Sequence, residues 1–187
     1  MEKLLQYDKQ LLVFLNGLGS SNFDPLWLFI TKPQNWAPVF IFVFYLIYKK
    51  LGIKNLLITI VTIALIITVT DQFTNVVKEA FQRLRPCNDL EINSIIRIVK
   101  SSATYSFFSG HAANSMASTI FVFLIIRKHY KYSFFLFLYP LIFAYSRIYL
   151  GLHFPSDIMT GYIVGVIFGY AFYNLYLIIL RKYFITL

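Results

Sequence analysis

Several long apolar runs constrain this chain more than any other feature of its sequence. Hydrophobic residues make up 58% of the 187 residues and charged residues only 13%, whereas soluble domains carry about 25% charged residues. The apolar residues are gathered into runs near the roughly 20 residues that a helix needs to cross a bilayer. The sequence therefore predicts an integral membrane protein with an all-α fold, a polytopic bundle of transmembrane helices.

The apolar runs predict about five membrane spans within a single domain, 1–187. Residues 3–18 mix leucines with charged and amide side chains and are too short and polar to span, so we expect an amphipathic helix in the membrane interface. The first span is expected to be kinked or broken near Lys32-Pro33. The longest polar stretch, 86–106, is expected to form a lid or a surface loop. The predicted spans are 25–48, 55–76, 109–126, 133–150 and 155–180.

The basic residues distinguish the two sides of the predicted bundle. With five spans, the loops at 49–54 and 127–132 and the tail at 181–187 share one side, which holds Lys and Arg but no Asp or Glu. Short loops rich in Lys and Arg stay in the cytoplasm. We therefore expect a bacterial cytoplasmic membrane protein with a cytoplasmic C-terminus, and with the loops at 70–107 and 147–157 on the outer face.

The net charge of +9 raises the question of nucleic-acid binding. The basic residues, however, lie in small clusters at span ends, where they anchor helices and meet anionic head groups. We therefore expect the bilayer as partner, with no nucleic acid and no obligate protein partner. Cys87 is the only cysteine, which excludes an internal disulfide and a thiolate metal cluster. No cleavable signal is evident at the N-terminus.

A stripe of glycines marks the last predicted span. Gly161, Gly165 and Gly169 recur at four-residue spacing, so they lie on one face of a helix. Small residues at this spacing allow two membrane helices to pack closely. The stripe therefore predicts a close helix contact in the bundle.

The first of three charged constellations lies at the end of the second span. Lys78 and Arg85 are seven residues apart, or two helical turns. We expect the helix to continue to Arg83 and to stop before Pro86, so that both cations point the same way. Ionisable groups at the ends of apolar spans are expensive beside lipid, which makes them candidates for a functional site.

The second constellation, Ser109-Gly110-His111, stands where the third span begins. Free backbone N–H groups at the start of a helix bind phosphate well, and glycine allows an oxygen to approach closely. This pattern predicts an anion site at the start of the third span.

The third constellation places a cation, a base and a carboxylate at the junction of the last two spans, as Arg147, His153 and Asp157. Together with the first two constellations, it would surround a phosphoryl group with cations and N–H donors and place a histidine on each face. Phosphoryl transfer requires these elements: stabilisation of the equatorial oxygens, an in-line nucleophile, and a proton for the departing oxygen.

In these residues the chain resembles the type 2 phosphatidic acid phosphatase (lipid phosphate phosphatase) superfamily. The resemblance covers about 78–157 and the helical architecture. Phe108 stands where the family has proline, which removes a stiffener before the phosphate loop but no chemical group. The family signatures K-x6-R-P, P-S-G-H and S-R-x5-H-x3-D appear here as Lys78 to Arg85-Pro86, as Phe108-Ser109-Gly110-His111, and as Ser146-Arg147 to His153 and Asp157.

The resemblance implies a role for each of these residues. His153 would attack phosphorus and form a phosphohistidine, while Asp157 holds its ring in the correct tautomer. His111 would protonate the leaving oxygen and then activate water. The family implies neither a metal nor another cofactor, which agrees with a cation-rich site that would repel a divalent ion. The implied phosphate ligands are Lys78, Arg85, Ser109, Gly110 and Arg147.

Two neighbouring charged residues receive no catalytic role. Arg83 fits an ordinary interfacial anchor. Asp71 fits a helix cap or the partner of a motif cation.

We therefore expect a membrane phosphatase that acts on a lipid phosphate or diphosphate at the outer interface. The family suggests undecaprenyl diphosphate, the 1-phosphate of lipid A, phosphatidylglycerol phosphate and phosphatidic acid, and an outward site favours the envelope lipids. Two alternatives remain. A phosphotransferase would pass the phosphoryl group to a second lipid, and a non-hydrolytic protein that binds or transports anionic lipids would tolerate replacement of His153.

Overall fold

A computed structural model describes residues 2–183, while residues 1 and 184–187, which include the end of the predicted cytoplasmic tail, lie outside the described residues. The described chain is helical and contains no β-strand, as the apolar runs predict. Short 3-10 helices occupy Ser21–Phe23, Pro33–Trp36, Pro86–Asn88 and Ser133–Phe137. The α-helices are α1 (Glu2–Gly17), α2 (Asp24–Ile30), α3 (Ala37–Phe81), α4 (Gly110–Ile126), α5 (Leu138–Tyr149) and α6 (Pro155–Tyr183).

Two helical stretches of the described chain, Pro33–Asn88 and Pro155–Lys182, are long and apolar enough to cross a membrane. The remaining apolar helices, Gly110–Ile126 and Ser133–Tyr149, are shorter. A membrane-embedded helical fold is consistent with these lengths, and the count of five spans stays a prediction.

The predicted boundaries differ from the structure in the first half of the chain. The segment expected as one span over 25–48, kinked or broken near Lys32-Pro33, is broken there, because α2 ends at Ile30 and Lys32 is extended (φ −90°, ψ 117°). A residue that precedes proline disfavours the helical region. The expected loop at 49–54 is instead helical except at Gly52, which has φ 79° and ψ 175° and turns the chain within α3. Only glycine adopts this conformation without steric cost.

Helices α4 and α6 pack closely at the centre of the fold. A Cβ atom added to Gly165 would lie 2.6 Å from the carbonyl oxygen of Ala113, and one added to Gly169 would lie 2.6 Å from that of Ala117. The glycine stripe is therefore a packing surface, as its spacing predicts. Its first member, Gly161, lies against the backbone of Ser109, so the contact sets the register between the starts of α4 and α6.

Helix α1 is docked on the helical core through a buried asparagine. Asn16 is fully buried, as is Leu12 one turn earlier. The Asn16 amide donates to the carbonyl oxygens of Arg97, Ile148 and Tyr149 at 3.0, 3.1 and 2.9 Å, and its Oδ1 accepts from the Arg97 N–H at 2.7 Å. Asn16 therefore joins α1 to the end of α5 and to the loop at 86–106.

The loop at 86–106 packs on the junction between α5 and α6. Its backbone N–H groups at Cys87 and Lys100 donate to the carbonyl oxygens of Gly151 and Leu150, both at that junction. These bonds hold the loop beside His153, where its last residues reach the candidate site.

Candidate active site

His153 and Asp157 form a buried pair at the start of α6. The exposed fractions of the two residues are 1% and 0%. Asp157 Oδ2 lies 3.3 Å from His153 Nδ1, and it also accepts from the Phe154 N–H at 2.9 Å and from the Ser106 hydroxyl. Because a carboxylate only accepts, this network assigns the ring hydrogen to Nδ1 and leaves the lone pair on Nε2.

Burial lowers the pKa of His153 to about 3, although the hydrogen bond and the charge of Asp157 act in the opposite direction. The imidazole is therefore neutral at physiological pH. A neutral ring with its lone pair on Nε2 is the form in which histidine acts as a nucleophile.

Arg83 supports Asp157 from behind, a role that the sequence analysis missed. Arg83 Nη1 donates to Asp157 Oδ1 at 2.8 Å, and Nη2 donates to Asp8 Oδ2 in α1 at 2.7 Å. The guanidinium carbon lies 3.9 Å from the centre of the Phe154 ring. Asp8 also accepts from the Ser156 N–H at 2.8 Å. Arg83 is thus part of the candidate site rather than an ordinary interfacial anchor.

The predicted helix to Arg83 is wrong, because α3 ends at Phe81. Gln82 adopts a left-handed conformation (φ 48°, ψ 30°), and its N–H donates to the carbonyl oxygen of Lys78 at 2.9 Å. Arg85, which precedes a proline, is extended (φ −75°, ψ 156°). Lys78 and Arg85 therefore do not share a helix face, yet the turn at Gln82 brings both side chains to the same cavity.

Arg85 lies beside His153 and is held by the loop at 86–106. Its Nε and Nη2 donate to the carbonyl oxygen and hydroxyl of Thr104, both at 2.8 Å. Its Nη1 donates to the carbonyl oxygen of Leu152 at 3.0 Å and lies 3.0 Å from His153 Nε2. Thr104 and Ser106 are further site residues that the sequence analysis missed, since it read their loop only as a lid or surface element.

Ser109 begins α4 as predicted, and its polar atoms join α4 to α6. Its side chain caps the helix by accepting from the Ala112 N–H at 3.4 Å, and its backbone N–H donates to the carbonyl oxygen of Asp157 at 3.1 Å. Gly110 and His111 follow at the cavity wall. The imidazole of His111 stacks on the ring of Phe143, with centroids 4.9 Å apart and planes inclined by 21°.

Two further cations complete the site with unused donors. Arg147 Nη1 donates to the Thr31 hydroxyl at 2.7 Å, while its buried Nε has no hydrogen-bond partner among the described residues. Lys78 makes no ion pair with any carboxylate in the part of the chain that the structure describes. Both are therefore available to an anion.

Six of the eight predicted site residues line one cavity of about 490 Å³, and Ser109 and Asp157 lie behind its wall. The rest of the cavity lining is largely apolar and includes Val39, Phe40 and Val43. Such a shape fits an amphiphile whose anionic head lies at the cationic end. No cluster of His, Cys, Asp and Glu able to hold a metal ion occurs among residues 2–183. The residues that line the cationic end are Lys78, Arg85, Gly110, His111, Arg147 and His153.

Comparison with known proteins agrees with this geometry. The family model of the PAP2 superfamily matches residues 55–179, a range that contains all three constellations. The chain is 36% identical to a lipid A 4'-phosphatase of Bacteroides thetaiotaomicron over 177 residues, which cover 92% of this chain and 78% of that protein. It is 31% identical to a lipid A 4'-phosphatase of Porphyromonas gingivalis over 181 residues, which cover 95% and 76% of the two chains.

Two solved structures share the fold. The PAP2-type phosphatidylglycerolphosphate phosphatase from Bacillus subtilis aligns with a TM-score of 0.69 and 16% identity, covering 98% of this chain and 89% of that chain. Aquifex aeolicus LpxE aligns with a TM-score of 0.63 and 23% identity, covering 88% and 93%. The family match, the two relatives and the buried histidine site lead to one conclusion: the chain belongs to the PAP2 superfamily and is a phosphatase.

Proposed function

We propose that this protein hydrolyses a phosphate monoester of lipid A, at the outer face of the cytoplasmic membrane, through a phosphohistidine on His153. The cavity carries this proposal, because its cationic end holds the buried histidine and its other end is apolar. The two relatives favour the 4'-phosphate over the 1-phosphate named in the sequence analysis, since both are lipid A 4'-phosphatases.

In the first step, the lone pair of His153 Nε2 attacks phosphorus and the bond between phosphorus and the sugar oxygen breaks. His111, which takes up a proton when the phosphate dianion binds among the cations, gives that proton to the departing sugar oxygen, so the lipid leaves as an alcohol. Asp157 stabilises the positive charge that develops on the His153 ring through Nδ1. In the structure, Arg85 Nη1 lies 3.0 Å from His153 Nε2, the attacking nitrogen, so its N–H must turn to a phosphate oxygen before attack.

In the second step, water attacks the phosphohistidine on the face opposite Nε2. His111, which lost its proton in the first step, accepts one from this water. The bond between phosphorus and Nε2 breaks, inorganic phosphate leaves, and both histidines regain their starting forms. Lys78, Arg85 and Arg147 stabilise the equatorial oxygens throughout, which is where charge accumulates during phosphoryl transfer.

The outward orientation of the site rests on the distribution of charge. The loop between α4 and α5 carries Arg127, Lys128 and Lys131, and the described end of α6 carries Arg181 and Lys182. The site lies at the opposite ends of these helices. The positive-inside rule therefore favours a site that faces the outside and a C-terminus in the cytoplasm.

The test is release of phosphate from lipid A by the purified protein in excess chelator, compared with His153→Ala. His129→Ala is the matched control, because His129 lies within the basic loop at 127–132 and does not line the cavity. Mass spectrometry of the product separates loss of the 4'-phosphate from loss of the 1-phosphate. We expect chelator-resistant loss of the 4'-phosphate, abolished only in His153→Ala. Release undiminished in that variant would refute the mechanism, and release that needs an acceptor lipid would indicate a phosphotransferase.

A further inference from the structure

One polar cluster in the cavity is not used by the phosphoryl chemistry. Asp71 in α3 and Asn114 in α4 both line the cavity, and Asn114 Nδ2 donates to Asp71 Oδ1 at 2.6 Å. The two residues stand just inside the phosphate site. Asp71 Oδ1 lies 3.8 Å from where a Cβ of Gly110 would be, and Asn114 follows His111 by one helical turn.

Two oxygen atoms of this pair lack donors. Asn114 Oδ1 is buried and has no hydrogen-bond partner among the described residues. Asp71 is an exposed residue, and its second oxygen accepts no hydrogen bond from the part of the chain that the structure describes. A buried acceptor without a donor, such as Asn114 Oδ1, is rare in folded proteins. The pair therefore presents unused acceptors to a ligand in the cavity.

Asp71 forms no ion pair with a cation of the site among the described residues, so it does not orient a cation toward the phosphate. Asp71 and the phosphate are both anions, so their proximity weakens phosphate binding. A neutral residue would brace α3 against α4 without that repulsion. Lys78 lies two turns beyond Asp71 on the same face of α3, about 10 Å along the axis. The carboxylate is thus placed to accept from a neutral donor that neighbours the phosphate.

The order of the groups along the cavity indicates what that donor is. The cationic end comes first, the pair of Asp71 and Asn114 comes next, and Ile63 and Ile67 of α3 line the apolar part beyond. A lipid phosphate bound with its phosphate at His153 would place its backbone, between phosphate and acyl chains, at the acceptor pair.

We infer that Asp71 and Asn114 form a subsite for hydroxyl or amide N–H groups on the backbone that joins the phosphate to the acyl chains. An N-acylated amino sugar carries such donors, whereas a diacylglycerol backbone has only ester oxygens at this place. This inference rests on the proposed phosphatase site, and it makes the pair a determinant of substrate class. A site built to accept from such groups rejects analogues that lack them.

The experiment compares two phosphate monoesters with matched chains, ceramide 1-phosphate and phosphatidic acid, in mixed micelles. Ceramide 1-phosphate carries an amide N–H and a hydroxyl beside its phosphate, and phosphatidic acid carries neither. We measure the ratio of kcat/KM for the two lipids in wild type, Asp71→Asn and Asn114→Ala. Gln72→Ala is the matched control, since Gln72 is exposed on α3 and does not line the cavity.

We expect wild type to prefer ceramide 1-phosphate and each of the two cavity variants to lower that ratio about tenfold, mainly through KM, while the control keeps it. If kcat/KM falls equally for the two lipids, so that their ratio stays constant, the pair of Asp71 and Asn114 only holds α3 against α4, and the inference is overturned. A wild-type preference for phosphatidic acid would overturn it as well. Failure to hydrolyse lipid A would refute the proposed substrate instead, and the ratio would still be measurable.

Discussion

The contact between Arg83 and Asp157 offers the most direct test of how the fold supports the candidate nucleophile. Asp157 is fully buried, and Arg83 donates to its Oδ1 at 2.8 Å. Arg83 also pairs with Asp8 of α1 at 2.7 Å. The substitution Arg83→Gln removes the charge from both contacts and keeps a side chain of moderate length. It leaves every group that would touch phosphate in place.

The expected effect follows from the loss of one charged hydrogen bond to a buried carboxylate. Such bonds contribute about 1.5–3 kcal/mol. If the transition state loses this much stabilisation because Asp157 orients the His153 ring less well, kcat falls roughly 10- to 150-fold, since each 1.36 kcal/mol of activation free energy is a factor of ten. KM should change little, because Arg83 does not line the cavity. Asp8→Asn, one contact further away, should lower kcat less.

The assay measures kcat, KM and the thermal unfolding midpoint of purified Arg83→Gln with a fixed lipid phosphate. Arg97→Gln is the matched control, because Arg97 also forms an ion pair, with Asp24 at 2.8 Å, and contacts none of the candidate catalytic residues. Both variants should lose stability, and only Arg83→Gln should lose kcat. Equal kcat values for the two variants would refute a positioning role for Arg83.

Three further predictions concern packing, pH and topology. Gly165→Ala should lower the thermal unfolding midpoint markedly, since the new Cβ would lie 2.6 Å from the Ala113 carbonyl oxygen, whereas Gly17→Ala, with no atom within 4 Å, should not. Burial lowers the pKa of His153 in the folded protein to about 3, whereas an unfolded histidine has a pKa of about 6.5. Below about pH 6.5 the unfolded state therefore binds more protons than the folded state. The wild type should therefore lose about 2 kcal/mol of stability from this group between pH 7 and pH 5, a loss absent in His153→Gln; equal midpoint shifts for the two proteins would contradict it. A fluorescent protein fused to the C-terminus should report a cytoplasmic location, and a periplasmic reporter active at that end would reverse the orientation.

The residues that meet at the candidate site could be predicted from the sequence because they lie in short, ordered motifs. His153 and Asp157 are four residues apart, so one helical turn brings them together wherever α6 packs. Pro155 and Ser109 mark the starts of α6 and α4. Proline favours the first position of a helix, and a serine side chain caps the free N–H groups there, so both starts follow from residue type.

Helix boundaries in the first half of the chain were predicted less well. The chain changes direction at Gly52 and at Gln82 through a single backbone conformation each. Apolar periodicity does not register one residue with an unusual φ or ψ, so the expected loop at 49–54 is only a turn at Gly52, and the expected helix end at Arg83 was misplaced.

The sequence by itself determined an apolar, helical chain with a histidine, a carboxylate and several cations in ordered motifs, because these depend on residue type and short spacing. The same motifs carry its resemblance to a phosphatase family. Only the tertiary structure decided what holds that site in place. Asp8 pairs with Arg83 across 75 residues, and Arg83 pairs with Asp157 across 74. Such pairs follow from how α1 and the loop at 86–106 pack on the helical core, and no periodic pattern in the chain encodes that packing.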